Sequence, residues 1–210
     1  MRAILPPLHA RDSSGAIAVH LSAAERILRS DLRAQRRRWR YRVRRGQVWF
    51  HDEVRHAHRQ VRQSIPHFLR HSSLRTALTA PVIYSLLVPF ALLDVWTTVY
   101  QWICFPVYGI AIVPRRRFFA VDRHKLGYLN AIEKVHCVYC SYANGAIAYI
   151  REIAARTEQY WCPIKHVRPV PGGHNRYAQF ADYGDAAGYR NGLRALRRDL
   201  RPGRRGRPAP

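Results

Sequence analysis

Residues 76–113 read TALTAPVIYSLLVPFALLDVWTTVYQWICFPVYGIAIV, and Asp94 is the only charged residue among them. One helix of this length would measure about 57 Å at 1.5 Å per residue, nearly twice the hydrocarbon thickness of a bilayer. Two spans of about 17 residues each, joined by a tight turn near Asp94, would fit that thickness. The segment therefore predicts a two-span transmembrane helical hairpin.

Basic residues border this segment on both sides. Arg70 and Arg75 precede it, and Arg115–Arg117 follow it. Positive charge at both ends, with none between, places both flanks in the cytoplasm by the positive-inside rule. We therefore expect a membrane protein with both termini cytoplasmic.

Two other arrangements of the same segment stay open. Pro81, Pro89 and Pro106 would suit the bent or broken helices of a shallow re-entrant or monotopic hairpin. A buried hairpin inside a soluble protein would also be apolar throughout. The N-terminal stretch MRAILPPLHA has no continuous apolar core, so no secretory signal is predicted there.

The chain as a whole is strongly basic, with 36 Lys and Arg against 13 Asp and Glu and a formal charge of +23. All but three of the basic residues are arginine, which a GC-rich genome alone could explain. Such a charge also favours anionic partners, either nucleic acid or the cytoplasmic face of a bilayer. Residues 1–75 hold 17 of the arginines and 5 acidic residues.

Within that basic arm, residues 22–63 predict a helix, since they contain no proline and one glycine. The run RRRWRYRVRR, residues 36–45, interleaves arginines with aromatic and aliphatic side chains. This pattern suits anionic lipid headgroups, single-stranded nucleic acid, or a solvated helix face that enforces topology. The candidate contact residues are Arg36, Arg37, Arg38, Trp39, Arg40, Tyr41, Arg42, Arg44 and Arg45.

Residues 124–160 have the apolar spacing of helices, interrupted by Asn144-Gly145. Because both residues tolerate positive φ, this pair predicts a helix stop and hence a helical hairpin. A Gly-, Asn- and Asp-containing stretch follows, so residues 171–210 predict a loop and a disordered basic tail. The predicted domains are 1–75, 76–113, 114–170 and 171–210.

Three of the four cysteines fall in or beside this helical hairpin. In the cytoplasm they should be thiols, and clustered Cys and His then indicate metal or redox chemistry. Cys137-x2-Cys140 and Cys162-x3-His166 each have the spacing of half a zinc site, and together they could hold zinc or iron. An unbroken helix would separate Cys140 from Cys162 by about 33 Å, so the site depends on the break at Asn144-Gly145.

Other residues of the segment would support these ligands by hydrogen bonds or ion pairs. They are Glu133, His136, Arg151, Glu152, Arg156 and Glu158. A second hypothesis uses some of them directly, because Glu53-x-x-His56 and Glu133-x-x-His136, with Glu152 and Glu158, match the ligand set of a di-iron bundle.

Several functions stay open on this evidence. The metal site would be structural or redox-sensing, and a homo-oligomer could complete it with ligands from two chains. A membrane-bound thiol or di-iron enzyme is one alternative, and cysteines that merely pack are another. A metal-free membrane scaffold that recruits RNA or a protein through its arginines is a third. HCVYC is not a Cys-x-x-Cys-His haem motif, and the chain has neither a phosphate-binding glycine loop nor Gly-x-Ser-x-Gly.

The run DRHKLGYLNAIEKVHCVYCSYANGAIAYIREIAARTEQYWCPIKH, residues 122–166, resembles the core of an uncharacterised family of small bacterial inner-membrane proteins. The matching positions are Asp122, Arg123, Glu133, Cys137, Cys140, Asn144, Gly145, Glu152, Arg156, Glu158, Trp161, Cys162 and His166. His136 departs from the family, which more often has Asn there, and this weakens the di-iron hypothesis. The resemblance implies an inner-membrane protein and implies no activity.

Overall fold

The computed structural model of the protein describes residues 26–44, 47–168 and 171–203. These residues are mainly helical, as the sequence predicts. They divide into two compact units, with the boundary between Arg55 and His56.

The first unit contains a β-hairpin that the sequence analysis missed. Residues 26–38 form helix α1, and β1 (Tyr41–Arg44) then pairs antiparallel with β2 (Gln47–Phe50). The predicted helix over 22–63 is therefore wrong between α1 and α2 (Asp52–Gln60). The alternation of arginine with Tyr41 and Val43 has the two-residue period of a strand. In the register of the hairpin, Tyr41 lies opposite Phe50, and their ring centroids are 5.6 Å apart. Residues 22–25 and Arg45 lie outside the described residues.

The apolar segment is helical up to Tyr108 except at Leu86, and residues 109–113 follow the helix. After α3 (Ile65–His71), α4 (Leu74–Ser85) and α5 (Leu87–Tyr108) follow each other, with Leu86 between them. Pro89 lacks an N–H for the carbonyl of residue 85, so the helix is interrupted just before it. Together α4 and α5 form a 35-residue run long and apolar enough to cross a membrane.

The turn predicted near Asp94 is wrong, because Asp94 lies in the interior of α5. The described residues contain one apolar helical run of membrane-spanning length where the sequence analysis predicted two spans. Helix α5 ends instead at Gly109, whose φ of 68° is the left-handed conformation that glycine adopts without strain.

Helix α6 (Ala131–Trp161) runs without a break through Asn144-Gly145, so the predicted helical hairpin is also wrong. Asn144 stays helical, and its side-chain amide donates to the Cys140 carbonyl at 2.8 Å. Gly145 is buried where a Cβ atom would lie 2.9 Å from the Phe118 carbonyl oxygen. Glycine is needed here for close packing and not for a turn.

Helices α5 and α6 run in the same direction. In the first half of each helix, Asp94 of α5 contacts Tyr142 of α6. Near the last residues of the two helices, the rings of Tyr108 and Tyr160 stack 5.1 Å apart. A parallel pair needs a long connection, which residues 109–130 supply. This return segment passes back along both helices and includes the 3₁₀ turns Arg115–Arg117 and Arg123–Lys125.

The core lies where α5, the return segment, α6 and α7 meet. Its buried members are Phe105, Ile110, Val113, Tyr149, Ile153 and Leu200. Helix α7 (Ala186–Asp199) begins within the stretch predicted to be loop, and Asp185 caps it by accepting from Gly188 N at 2.8 Å. Residues 204–210 of the predicted tail lie outside the described residues.

Candidate functional site

Helix α5 has one polar face, which the rest of the fold covers. Its buried residues are Asp94, Gln101 and Phe105, spaced so that they lie on one side of the helix. Thr98 lies on the same side and donates to the Asp94 carbonyl at 2.7 Å. The polar side chains of an otherwise apolar helix therefore point into the protein.

The opposite face of α5 is apolar and uncovered. Its side chains are 45–78% exposed, and they are Val88, Leu92, Val95, Trp96, Val99, Trp102, Ile103 and Val107. In the most apolar 18-residue window of the run Leu74–Tyr108, no residue is buried. Soluble monomers rarely expose a continuous apolar surface of this extent, so this face indicates a lipid or protein partner.

Asp94 forms an ion pair at the centre of the covered face, in which its own side chain is 7% exposed and that of Arg115 is 46% exposed. Arg115 of the return segment donates to both of its carboxylate oxygens, Nε to Oδ1 at 3.1 Å and Nη2 to Oδ2 at 2.6 Å. Tyr142 of α6 donates to the same Oδ2 at 3.1 Å. The hydrogen bond to Asp94 raises the pKa of Arg115 against the opposing effect of burial. The guanidinium also lies 3.9 Å from the centroid of the Phe119 ring.

Gln101 joins α5 to the other side of the return segment. Its Oε1 accepts from Val113 N at 3.0 Å, and its Nε2 donates to the Val113 carbonyl at 3.4 Å and to the Tyr149 hydroxyl. Thr98 Oγ1 lies 3.2 Å from the same hydroxyl. Asp94 and Gln101 thus tie three parts of the fold together by polar contacts.

The acidic residues predicted to support a metal instead hold the loop after α6 onto that helix. Glu152 Oε1 accepts from Arg156 Nε at 2.8 Å and from Arg176 Nη2 at 3.0 Å. Burial opposes the ionisation of Glu152, but both arginines outweigh it and lower the pKa of this carboxyl. Arg176 also donates to Gln159 Oε1 at 2.8 Å, and Arg151 donates to the Gly172 carbonyl.

Glu158 pairs with His174, a residue that the sequence analysis did not single out. Their Oε2 and Nε2 atoms are 2.9 Å apart, and His174 Nδ1 accepts from Arg176 N at 3.2 Å. Because Nδ1 accepts, the ring proton belongs on Nε2 and is donated to Glu158. This arrangement uses the histidine as a structural link.

The predicted metal ligands do not converge within one chain. Cys137 and Cys140 lie inside α6, while Cys162 follows its last residue, so the unbroken helix separates Cys140 from Cys162 by about 33 Å. His166 stacks on Tyr177 at 6.0 Å between centroids. No group of three or more His, Cys, Asp or Glu suited to a metal occurs among the described residues. Zinc or iron binding stays a prediction.

The residues of the di-iron hypothesis have other partners. Glu133 accepts from Asn130 N at 2.8 Å in the capping box that begins α6. The ring of His136 stacks on Tyr84 at 5.8 Å between centroids, and Glu53 pairs with Arg40. These contacts supply a structural role for Glu53, Glu133 and His136.

An open groove of about 510 Å³ runs between α5 and α6. Tyr100, Ile150, Trp161 and Cys162 help to line it, and Tyr100 bonds to Thr157 across it at 3.1 Å. Enzyme sites usually enclose most of a small ligand. Among the residues that line this mostly apolar groove, Glu158 is the candidate base for Cys162, and its carboxylate is paired with His174.

The arginine-rich run lies in the first unit, mostly on exposed surface. Its first three residues end α1, and the Arg38 guanidinium lies 5.3 Å from the centroid of Trp39. On the hairpin, Arg42 is opposite Trp49, which is 61% exposed. Arg44 ends β1. Basic and aromatic groups on one surface suit an anionic partner.

Sequence reasoning missed Arg115, Tyr142, Gln101 and Tyr149 as a connected set. The available signal was Asp94 itself, since a lone carboxylate in an apolar helix needs a partner. Arg115–Arg117, which follow the apolar segment, were interpreted only as a signal of membrane topology. No protein family, characterised protein or solved structure gives a significant match to this chain, so the assignment of function rests on the geometry above.

Proposed function

We propose that the protein is a membrane-bound scaffold of the bacterial inner membrane, held to the bilayer by the helical run Leu74–Tyr108. The observation that carries this proposal is the uncovered apolar face of that run. Burying a large apolar side chain contributes about 1.5–3 kcal/mol, and eight such side chains share the face on α5. The same polar contacts that fix the fold keep the charged Asp94 away from lipid.

The arginines supply the second part of the attachment. The chain has 36 basic against 13 acidic residues, and each basic side chain near an anionic leaflet contributes about 1 kcal/mol. Arg36, Arg37 and Arg38 stand together at the end of α1 and are exposed. We assign them to lipid headgroups on the cytoplasmic side, where both termini would then lie.

The other functions considered above have less support. Among the described residues, no group of three or more His, Cys, Asp or Glu is assembled for a di-iron, zinc or iron centre. RNA or a protein partner for the arginines is the outcome to be distinguished by experiment.

Membrane fractionation of cells that express the full chain tests the attachment. We expect the wild type in the membrane pellet, and we expect Leu92→Asn/Val95→Asn/Val99→Asn to lower the amount of protein in the pellet at least tenfold. Val61→Asn/Leu69→Asn/Val167→Asn is the matched control, because these three side chains are also 55–69% exposed but lie outside the apolar face. Wild-type protein in the soluble fraction would contradict the proposal, and helicity by circular dichroism would show that each variant folds.

Vesicle binding tests the partner of the arginines. Arg36→Gln/Arg37→Gln/Arg38→Gln should weaken binding to phosphatidylglycerol vesicles about 100-fold at low salt, since three charges are removed at about 1 kcal/mol each. Binding to neutral vesicles should not change. Unchanged binding to both vesicles, together with loss of co-purifying RNA, would instead assign these arginines to RNA.

A further inference from the structure

We infer that the helical run Leu74–Tyr108 lies along the membrane surface, at the boundary of headgroups and hydrocarbon, and does not cross the bilayer. The return segment and α6 then remain on the aqueous side. This inference rests on the proposed membrane attachment and specifies its geometry. It follows from the length of the run, the charges beside it and the position of its tryptophans.

The length of the run does not match a bilayer. Its 35 residues extend about 52 Å, whereas the hydrocarbon core is about 30 Å thick. Crossing with the whole run inside hydrocarbon would need a tilt of about 55°, beyond the 0–40° found for membrane helices. A helix that lies in the interface has no such limit.

Helix α5 alone has the length to cross, so the charges beside it decide the question. Asp94 is its eighth residue, about 10 Å along the helix from Leu87. Arg115 is held against Asp94, and Arg116 and Arg117 are exposed in the same 3₁₀ turn. A crossing α5 would carry these three arginines about 10 Å deep, although each is unfavourable in hydrocarbon by up to about 3 kcal/mol.

The second half of α5 has charged neighbours as well. Tyr100 bonds to Thr157 of α6, which places the adjacent Arg156 beside this part of α5. Arg156 bonds to Glu152 and donates to the Ala111 carbonyl at 2.5 Å. Charged residues thus flank both halves of α5, all on the covered side. If α5 crossed the bilayer, the hydrocarbon layer around it would include some of these charged residues.

The tryptophans agree with an in-plane helix. Trp96 and Trp102 are 77% and 68% exposed on the uncovered face. In a crossing α5 both would lie within about 7 Å of the helix midpoint, deep in hydrocarbon. Indole rings prefer the headgroup boundary, where the ring is in an apolar layer and its N–H is hydrated. An in-plane helix places both rings at that depth.

Side-specific labelling tests the inference in the full chain. In a background with Ser at the four cysteine positions, Ser73→Cys and Ile112→Cys place single thiols just before and after the run. An impermeant maleimide is added to right-side-out and to inverted membrane vesicles. We expect both thiols to be labelled in the same preparation, at least tenfold more than in the other. Labelling of the two thiols in opposite preparations would overturn the inference.

A second measurement avoids cysteine replacement. Fluorescence of Trp96, obtained as the difference between wild type and Trp96→Phe, is quenched by lipids brominated at shallow or deep acyl positions. We expect at least twofold stronger quenching by the shallow lipid. Stronger quenching by the deep lipid would show a crossing helix. Protein that binds no membrane in either experiment would contradict the proposed function itself, which separates the two failures.

Discussion

The two faces of α5 differ in a way that reverses the usual order of a soluble helix. The covered face carries Asp94, Thr98 and Gln101 in hydrogen bonds, while the uncovered face carries valine, leucine and tryptophan. The covered face also holds Phe105 in the apolar core. The contrast teaches that the covered face holds the fold together, while the proposed membrane attachment uses the uncovered face.

Removing the cation that pairs with the buried Asp94 carboxylate should have the largest effect on the covered face. Arg115→Met leaves the carboxylate of Asp94, which is 5% exposed, with only the Tyr142 hydroxyl. We expect the free energy of unfolding in detergent to fall by about 3 kcal/mol, as when one partner of a buried pair is lost. Denaturant titration followed by circular dichroism measures it.

Two further variants make that result specific. Arg116→Met removes an exposed arginine of the same turn and should change the free energy by less than about 0.5 kcal/mol. Asp94→Asn/Arg115→Met removes the uncompensated charge and should recover part of the loss. Equal losses for Arg115→Met and Arg116→Met would show that the ion pair does not stabilise the fold.

Adjacent residues on opposite faces give the next comparison. Gln101→Leu leaves the backbone N–H and carbonyl of Val113 buried without their partner, which should lower the free energy of unfolding by about 2 kcal/mol. Trp102→Leu changes the uncovered face and should change the free energy of unfolding in detergent by less than about 0.5 kcal/mol. A larger loss for Trp102→Leu would contradict the distinction between the faces.

The packing of the return segment onto α6 can be tested at Gly145. Alanine normally stabilises a helix by about 1 kcal/mol over glycine, but here its Cβ would lie 2.9 Å from the Phe118 carbonyl oxygen and from a Phe119 ring carbon. We expect Gly145→Ala to destabilise the fold by about 1 kcal/mol, because overpacking outweighs propensity. Gly192→Ala in α7 has nothing within 4 Å and should stabilise. Stabilisation by both changes would rule out close packing at Gly145.

The smallest expected effect is on the pH dependence of the free energy of unfolding, and it concerns Glu152 of α6. The pKa of Glu152 is below its ordinary value of 4.5 in the folded protein, so the ionised carboxylate stabilises the fold above that pH. This contribution is lost as the pH falls through the folded pKa. Glu152→Gln should therefore flatten the acid side of the stability profile, whereas Asp182→Asn, at an exposed ion pair with Lys165, should not. Superimposable acid profiles for wild type and Glu152→Gln would contradict this role.

Sequence reasoning predicted the helical character of the chain and the apolar run, because both depend on local composition. It failed where a distant contact decides the conformation. Asp94 was interpreted as a turn residue, yet Arg115, which is 21 residues later, stabilises it inside a helix. Asn144-Gly145 was interpreted as a helix stop, yet the close approach of Phe118 requires the glycine.

The candidate site was predicted less well than the fold. Cys137, Cys140 and Cys162 were grouped by spacing along the chain, but the rise of α6 separates them in space. Gln101 and Tyr149 were not predicted as functional or structural residues, since their partners come from other parts of the fold. Only Asp94 was visible from composition, and its partner could be identified only from the structure.

The parallel course of α5 and α6 has a consequence for synthesis of the protein. Helix α5 leaves the ribosome first, and at roughly 5–20 residues per second the end of α6 follows about 3–10 s later. During that interval the uncovered face of α5 is already complete, whereas Gln101 and Thr98 have not met Tyr149. We therefore expect ribosome-bound nascent chains that end at residue 150 to bind membranes before α6 has left the ribosome, so that the bilayer and not the core first orients the chain. Recovery of such ribosome-bound chains in the soluble fraction would contradict that order.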